Sequence, residues 1–439
     1  MSEAPGLIRA LRRRDLIGLI VNGVVGAGML AAPSKVFALA HGWSFVILAC
    51  AALLIAPLIL IFADLGSRFT TTGGPYLYAR AALPGWMAFA VGWMLWISQA
   101  LAVATLSNLL VSYLGGLFPV VGSGLPRAAI IVGLGIVLTA IVLVGIRQSA
   151  TSSNVLVLLK VAFILGFVVA GIGFVDVQKL AVASPTPSVI TTFQAILIYL
   201  FAYTGFERAG LQAGETRDPR RDVPITMFAS VGLASVIYAA VLFVCIGVLG
   251  DPTLTDRPLA EVGRLLFGPI GQIAVSVGAI VVILGTLMAL VVAMPRLLMA
   301  MAEQGQLPAV MGAVHERSRT PHVAIIISSG LAFAAALGSD LLASLTISTA
   351  ARVVVYILCC IALFRLSRRA DSPPPQFRLP MPAFITLTTA VLFAGVLVLG
   401  AVKELPALLT VMAIGLLALA ATHLARSRTA RVRDLQNRS

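Results

Sequence analysis

A succession of long apolar stretches is the feature that most constrains what this chain can fold into. Such stretches recur near residues 16–38, 44–63, 85–118, 127–146, 152–175, 191–214, 223–249, 270–301, 323–338, 341–365, 382–401 and 405–425. Most are long enough to cross about 30 Å of hydrocarbon as a helix. Because backbone in lipid must satisfy its own hydrogen bonds, we expect helices there. The sequence therefore predicts an all-α integral membrane protein with twelve transmembrane helices.

Composition and charge agree with this class. The chain of 439 residues is 59% hydrophobic and 11% charged, with a formal net charge of +14. On a twelve-helix topology with a cytoplasmic N-terminus, most Lys and Arg residues fall on the cytoplasmic side, as the positive-inside rule expects. The basic tail at 426–439 follows the same rule, and contact with anionic lipid is its alternative role. We expect no nucleic-acid partner, and we expect both termini in the cytoplasm.

The sequence lacks the patterns typical of metal sites and covalent catalysts. No two of the four cysteines form a Cys-x-x-Cys pair, and the four histidines have no metal-ligand spacing. Walker, dinucleotide and nucleophile-elbow motifs are missing as well. We therefore expect a chain that is not an enzyme and that has no metal, no other cofactor and no nucleotide partner.

Two predicted spans are interrupted by glycine near their middles. Gly23, Gly26 and Gly28 interrupt the first, and Gly205 and Gly210 interrupt the sixth. Each lowers helix propensity by about 1 kcal/mol relative to Ala. Backbone freed at membrane depth lines a cavity or binds a ligand, and paired breaks in two halves indicate an inverted-repeat transporter. Close packing of small residues is the alternative for either motif alone.

Five motifs resemble, in chain order, those of the amino acid/polyamine/organocation transporters. They are NGVVGAGML at 22–30, RFTTTGGPYLY at 68–78, FAYTGFE at 201–207, ETRDPRRDVP at 215–224 and PRLLMAMAEQGQLP at 295–308. The resemblance implies the leucine-transporter-type fold, a five-plus-five inverted repeat with broken helices 1 and 6, plus two C-terminal helices. Asp218, where Asn is usual, and Thr70, where Pro is common, depart from the family pattern.

The resemblance also implies how the chain is organised. A single transmembrane transporter domain would occupy 1–439, with repeats at 15–175 and 190–366, helices 11 and 12 at 381–425, and a basic cytoplasmic tail at 426–439. The Pro-rich segment SPPPQFRLPMP, at 372–382, is typical of a linker. Asp64, at the end of the second span, is expected to be a solvated charge.

By resemblance, an amino acid substrate would bind between the two broken helices. Its carboxylate would be held by backbone N–H groups at the first break and its ammonium by carbonyls near Val24 and Thr204. Phe201 would lie over the substrate as an inner gate, although packing is the more common role of an aromatic residue in a span. The expected substrate-binding residues are Val24, Gly26, Ala27, Gly28, Phe201, Tyr203, Thr204 and Gly205.

Charge is costly inside a span, and the predicted spans contain Lys160, Glu207 and Arg352 away from their ends. In the family, a lysine at the position of Lys160 replaces a bound sodium ion in some members, and an acidic residue at the position of Glu207 is linked to gating or proton coupling. Snorkelling of Lys160 and a structural hydrogen bond of Glu207 are the alternatives. Arg352 is compatible with gating and with snorkelling.

Together these features predict a secondary active transporter of amino acids in the cytoplasmic, or inner, membrane. We expect alternating access, proton coupling, independence of sodium, and a preference for neutral or apolar amino acids. The alternative is an amino acid or polyamine exchanger that uses the same site, and the rival classes are a channel and a transport-like receptor. The expected partners are the amino acid or amine, protons and membrane lipids, and both a monomer and a homodimer are compatible with the sequence.

Overall fold

A computed structural model of the chain describes residues 24, 26, 28–69, 74–144, 150–180, 185–207, 216–315, 318 and 320–436. Its α-helices are α1 (Gly28–Ala40), α2 (Ser44–Arg68), α3 (Gly74–Ala82), α4 (Gly85–Leu117), α5 (Gly124–Val144), α6 (Ala150–Ile172), α7 (Val177–Leu180), α8 (Val189–Tyr203), α9 (Pro219–Leu249), α10 (Pro258–Glu303), α11 (His322–Gly338), α12 (Leu341–Leu366), α13 (Pro382–Gly395) and α14 (Leu405–Gln436). A π-helical turn, Val396–Gly400, follows α13. Short 3₁₀ turns lie at His41–Trp43, Pro119–Gly122, Pro252–Leu254 and Ala309–Gly312. The first part of the first predicted span, Ala27 and Gly210 lie outside the described residues.

The described residues form a multi-pass membrane protein. Eight helical segments are long and apolar enough to cross a bilayer, and the first of them, Gly28–Arg68, contains both α1 and α2. Three shorter apolar helices accompany them, at Leu158–Ile172, Val189–Tyr203 and His322–Gly338. The all-helical membrane class is confirmed, whereas the count of twelve spans stays a prediction.

The long helix α4 lies at the centre of the fold, packed along α10, α11 and α12. Hydrophobicity alone does not draw helices together in lipid, so small and polar residues supply the contacts. Thr105 of α4 donates a hydrogen bond to Ser344 of α12 at 3.1 Å, and Ser348 donates to the Ser98 carbonyl at 2.7 Å. In contrast, most of the apolar surface of α5 is exposed, as expected for a helix that faces lipid.

The helix α10 is interrupted near its start. Phe267 and Gly268 leave helical geometry, and Gly268 has a φ of +64°, a conformation that glycine adopts without strain. Gly263 and Gly271 pack against each other on either side of this kink: an added Cβ at Gly263 would lie 2.6 Å from the Gly271 carbonyl oxygen. The uninterrupted part of α10 therefore begins near Pro269, close to the predicted start of the eighth span.

The helix α3 is fastened to the segment that follows α10. The hydroxyl of Tyr76 donates to Gln306 Oε1 at 2.7 Å, and Gln306 Nε2 donates to the Gly85 carbonyl at 3.2 Å. Burial raises the pKa of Tyr76 to about 12, partly offset by the nearby Arg80 cation. The phenol therefore keeps its proton at neutral pH and remains a donor.

The Pro-rich segment between α12 and α13 is hydrogen-bonded to the end of α2. We call residues 372–379 the strap. Asp64 is 1% exposed, so the expectation of a solvated charge is wrong. Its carboxylate accepts a hydrogen bond from Arg68 Nε at 2.6 Å and another from the Leu379 amide at 2.9 Å. Arg68 also donates to the Pro373 carbonyl at 3.1 Å, so both members of the ion pair bind the strap.

Replacing Asp64 by Asn is expected to destabilise the protein strongly. The Arg68 guanidinium would remain buried without its carboxylate, and removing one member of a buried pair costs about 3–5 kcal/mol. The matched control is Glu261→Gln, since the Arg264–Glu261 pair is 48% and 31% exposed. An exposed pair contributes at most about 1 kcal/mol. Thermal unfolding in detergent measures both, and equal unfolding temperatures would contradict the role of the strap.

Candidate functional site

The helix α8 stops in the middle of the protein. Thr204 is extended, with φ −62° and ψ 146°, and Gly205 has a φ of +116°, a region that favours glycine. The freed Phe201 carbonyl accepts hydrogen bonds from the Thr204 amide at 3.2 Å and from the Thr204 hydroxyl at 2.7 Å. With 15 residues, α8 is about 22 Å long, too short to cross the hydrocarbon by itself.

The first predicted break lies directly beside this point. The amide of Gly26 donates to the Val24 carbonyl at 2.7 Å, a tight turn, and α1 begins at Gly28. An added Cβ at Gly28 would lie 2.7 Å from the Cα of Ala202. Backbone meets backbone here, so only glycine fits without a shift. Gly28 therefore has the close-packing role that was the alternative for this motif.

A tyrosine of α9 joins the two breaks. The hydroxyl of Tyr238 lies 2.6 Å from the Val24 carbonyl oxygen and 2.7 Å from that of Ala202, and its single proton is donated to one of them at a time. The Tyr238 ring packs on Tyr203, whose hydroxyl bonds Ser235 at 2.9 Å. Tyr203 thus turns toward α9. Tyr238 was not predicted from the sequence, although a polar group in an apolar span was an available signal.

A cavity opens where the breaks meet. Its lining consists of Val24, Gly26, Gly28, Ala102, Leu106, Phe201, Ala202, Thr204, Thr286, Leu290 and Arg352. The structure thus brings five of the predicted substrate-binding residues into one lining, while Tyr203 and Gly205 lie just outside it. The wall opposite the breaks is supplied by α4 and α10 and was not predicted.

Arg352 and Glu207 form an ion pair beside the cavity, with side chains 5% and 4% exposed. The other oxygen of Glu207 accepts the amide of Gly205 at 2.9 Å. Arg352 Nε donates to Ser98 Oγ at 3.0 Å. The pair therefore ties the α8 break to α4 and α12, and a buried, paired guanidinium is not a snorkelling one.

Lys160 is buried in the membrane-depth part of α6. Its ammonium donates to the Thr286 hydroxyl at 2.8 Å, and that hydroxyl donates in turn to the Val282 carbonyl at 2.9 Å. Lys160 is 2% exposed, which excludes snorkelling to the surface. Because Thr286 lines the cavity, the lysine lies one hydroxyl away from it.

The aromatic residues of α4 serve packing. Trp93 donates to the Val411 carbonyl of α14 at 2.9 Å, and Trp96 donates to Ser328 of α11 at 2.9 Å. Ala102 and Leu106 face the cavity instead. The hydrophobic pattern of a uniformly apolar helix does not indicate which face is turned inward, so Ala102 and Leu106 were not predicted to line the cavity.

The sequence of the chain is similar to those of known transport proteins. The sequence profile of a family described as amino acid permease matches residues 11–419. The methylthioribose transporter of Bacillus subtilis is 28% identical over 418 residues, covering 89% of this chain and 88% of that protein. The serine/threonine exchanger SteT of the same organism is 26% identical, covering 88% and 90%. Its branched-chain amino acid permease BcaP is 26% identical, covering 86% and 85%.

Replacing Gly28 by Ala is expected to lower the unfolding temperature, because the new methyl group would press on the backbone of Ala202. Overpacking of this kind costs about 1–3 kcal/mol. The matched control is Gly232→Ala in α9, where nothing lies within 4 Å of an added Cβ. We expect that variant to be neutral or slightly stabilised, because Ala is the better helix former. Thermal unfolding in detergent compares the two, and a neutral Gly28→Ala would rule out the close approach.

Proposed function

Because the chain belongs to the amino acid permease family, we propose that it is a secondary active transporter that moves amino acids across the cytoplasmic membrane by alternating access. Family membership confirms the resemblance of the motifs, and family and relatives are transporters rather than enzymes, as predicted. The observation that carries the proposal is the convergence of both helix breaks on one cavity.

We propose that the substrate is held by backbone at the two breaks. Helix ends carry partial charges that suit a zwitterion without burying another full charge. The amides of Gly26, Ala27 and Gly28 would bind the carboxylate, and the carbonyls of Val24 and Thr204 would bind the ammonium. The Val24 carbonyl already accepts from Tyr238. It also accepts from the Gly26 amide, so on binding that amide would turn to the substrate carboxylate and leave one of the two lone pairs of the carbonyl oxygen to the ammonium.

The lining favours neutral or apolar side chains. Ala102, Leu106, Leu290 and Phe201 are all apolar. None of the described lining residues is acidic, and the Glu207 carboxylate beside the cavity is already paired with Arg352. Among the relatives, a serine/threonine exchanger and a branched-chain permease agree with this preference, whereas two cationic amino acid transporters of Arabidopsis thaliana, 29% and 27% identical, do not. The similarity to a methylthioribose transporter places that thioether sugar in the test panel as well.

For the architecture, we propose the complete five-plus-five inverted repeat with helices 11 and 12, both termini in the cytoplasm, and lipid around the outer helices. The separate helices α1 and α2, together with the three shorter apolar helices, support a higher span count than the eight long segments alone. The exposed apolar residues of α5 and α14 fit contact with acyl chains.

For coupling, we propose that Lys160 stands where other members bind sodium, and that it exchanges a proton during the cycle. Its bond to Thr286 supports this, because that hydroxyl belongs to the cavity wall. Glu207 would act in gating, since it joins the Gly205 amide to α12. Obligatory exchange is the second candidate, and the similarity to a serine/threonine exchanger favours it.

The proposal predicts uptake of labelled neutral amino acids into proteoliposomes, with methylthioribose tested alongside them. Accumulation driven by an imposed inward proton gradient would identify a proton symporter, and uptake only with unlabelled amino acid inside would identify an exchanger. Conductance far above turnover rates would identify a channel, and saturable binding without uptake would identify a receptor. Either of these last two results would contradict transport by alternating access.

Lys160→Ala is expected to abolish proton-driven accumulation, reducing it to the level of protein-free liposomes, because no proton-exchanging cation would remain beside Thr286. The matched control is Lys403→Ala, an exposed lysine outside the cavity, which should transport like the wild type. Uptake is measured with proton and sodium gradients separately. Sodium-driven uptake that persists undiminished in Lys160→Ala would overturn this role.

A further inference from the structure

We infer that Arg352 is a tethered cation that closes the site to cationic substrates, and that removing it would let an arginine- or lysine-like side chain reach Glu207. This inference rests on the proposed transport function and adds the residue that sets the substrate charge class. Arg352 belongs to the cavity wall, whereas Glu207 does not. A bound substrate therefore meets the guanidinium and not the carboxylate.

The Arg352 guanidinium occupies the position at the Glu207 carboxylate that a cationic ligand would take. Arg352 Nη1 donates to Glu207 Oε1, and the other carboxylate oxygen is used by the Gly205 amide. Each oxygen of Glu207 thus has a donor. An Arg–carboxylate bond is charge-assisted and stronger than a neutral hydrogen bond. A cationic substrate would have to displace this tethered group, whose effective concentration at the carboxylate is far higher than that of any free solute.

Besides Glu207, a pair of uncharged serines holds Arg352 in place. Its Nε donates to Ser98 Oγ, and the Ser98 carbonyl accepts from Ser348, which lies one turn before Arg352 in α12. The two serines orient the guanidinium without neutralising it, so Glu207 is the anion of the pair. Together these contacts explain why a full positive charge lines the wall of a cavity at membrane depth.

The charges near the cavity exclude cations in two ways. The carboxylate that would attract a cationic side chain is occupied, and the group that occupies it repels a second cation at short range. Lys160, bonded to Thr286 of the same wall, adds to this repulsion. A neutral side chain meets neither penalty. The preference for neutral substrates therefore depends on one residue of α12 rather than on the apolar wall alone.

Removing Arg352 is expected to shift the substrate preference from neutral toward cationic amino acids. In Arg352→Gln, the ratio of L-arginine affinity to the affinity for the best neutral amino acid of the uptake panel should rise at least tenfold over the wild type. The double variant Arg352→Gln/Glu207→Gln should lose this gain, because no carboxylate remains. Arg352→Lys, which keeps a tethered cation, should stay closed to L-arginine. Affinities are measured on purified protein by the thermal shift that each amino acid produces.

A second readout does not require transport. In Arg352→Ala the vacated space should accept methylguanidinium, so this small cation should raise the unfolding temperature of the single variant. It should not do so for the wild type or for Arg352→Ala/Glu207→Gln. A wild type that binds no neutral amino acid would refute the proposed function, yet selective stabilisation by methylguanidinium would still establish the tethered cation.

Three results would overturn the inference. The first is a folded Arg352→Gln without any gain for L-arginine. The second is an equal gain in the double variant, which would show that space rather than charge was limiting. The third is a failure of both Arg352→Ala and Arg352→Gln to fold even with methylguanidinium present, which would reduce Arg352 to a structural tie between α4, α12 and the α8 break.

Discussion

Backbone at membrane depth has no water to bond, and this constraint governs every feature of the site. Where α8 ends and where α1 begins, carbonyls and amides lose their helical partners. The Thr204 hydroxyl, the Tyr238 hydroxyl and the Glu207 carboxylate replace them. The replacements all come from side chains that cluster at one depth. The two breaks lie against each other, and Gly28 allows that approach.

The same constraint organises the charges. Lys160 is bonded to a hydroxyl of the cavity wall, and Arg352 is paired with Glu207. Neither cation can be removed without leaving a polar group behind it. Burial of such groups is expensive, and in membrane proteins it commonly marks a pathway for ions or substrate. Both cations therefore lie beside backbone that is already freed from helices.

Much of this could be expected from the sequence, and the successes and failures have physical causes. Glycines in an apolar span are informative because they weaken a helix, so the interruptions at Gly26 and Gly205 were predictable. The cavity wall at Ala102 and Leu106 was not, because an apolar helix in lipid looks the same on every face. The partner of Arg352 was also hidden, since Glu207 lies 145 positions away in the chain.

Asp64 illustrates a different failure. The sequence predicted a solvated charge, yet Asp64 pairs with Arg68 and accepts from the strap, which lies more than 300 positions later. The last two helices supply none of the described residues that line the cavity, so they look dispensable. A chain cut before the strap would leave Asp64 and Arg68 with unfilled bonds at the end of α2. The segment that leads into the C-terminal helices is thus bonded to the first half of the protein. A truncation near the C-terminus would therefore disturb the structure around Asp64 and Arg68, near the N-terminal end of the sequence.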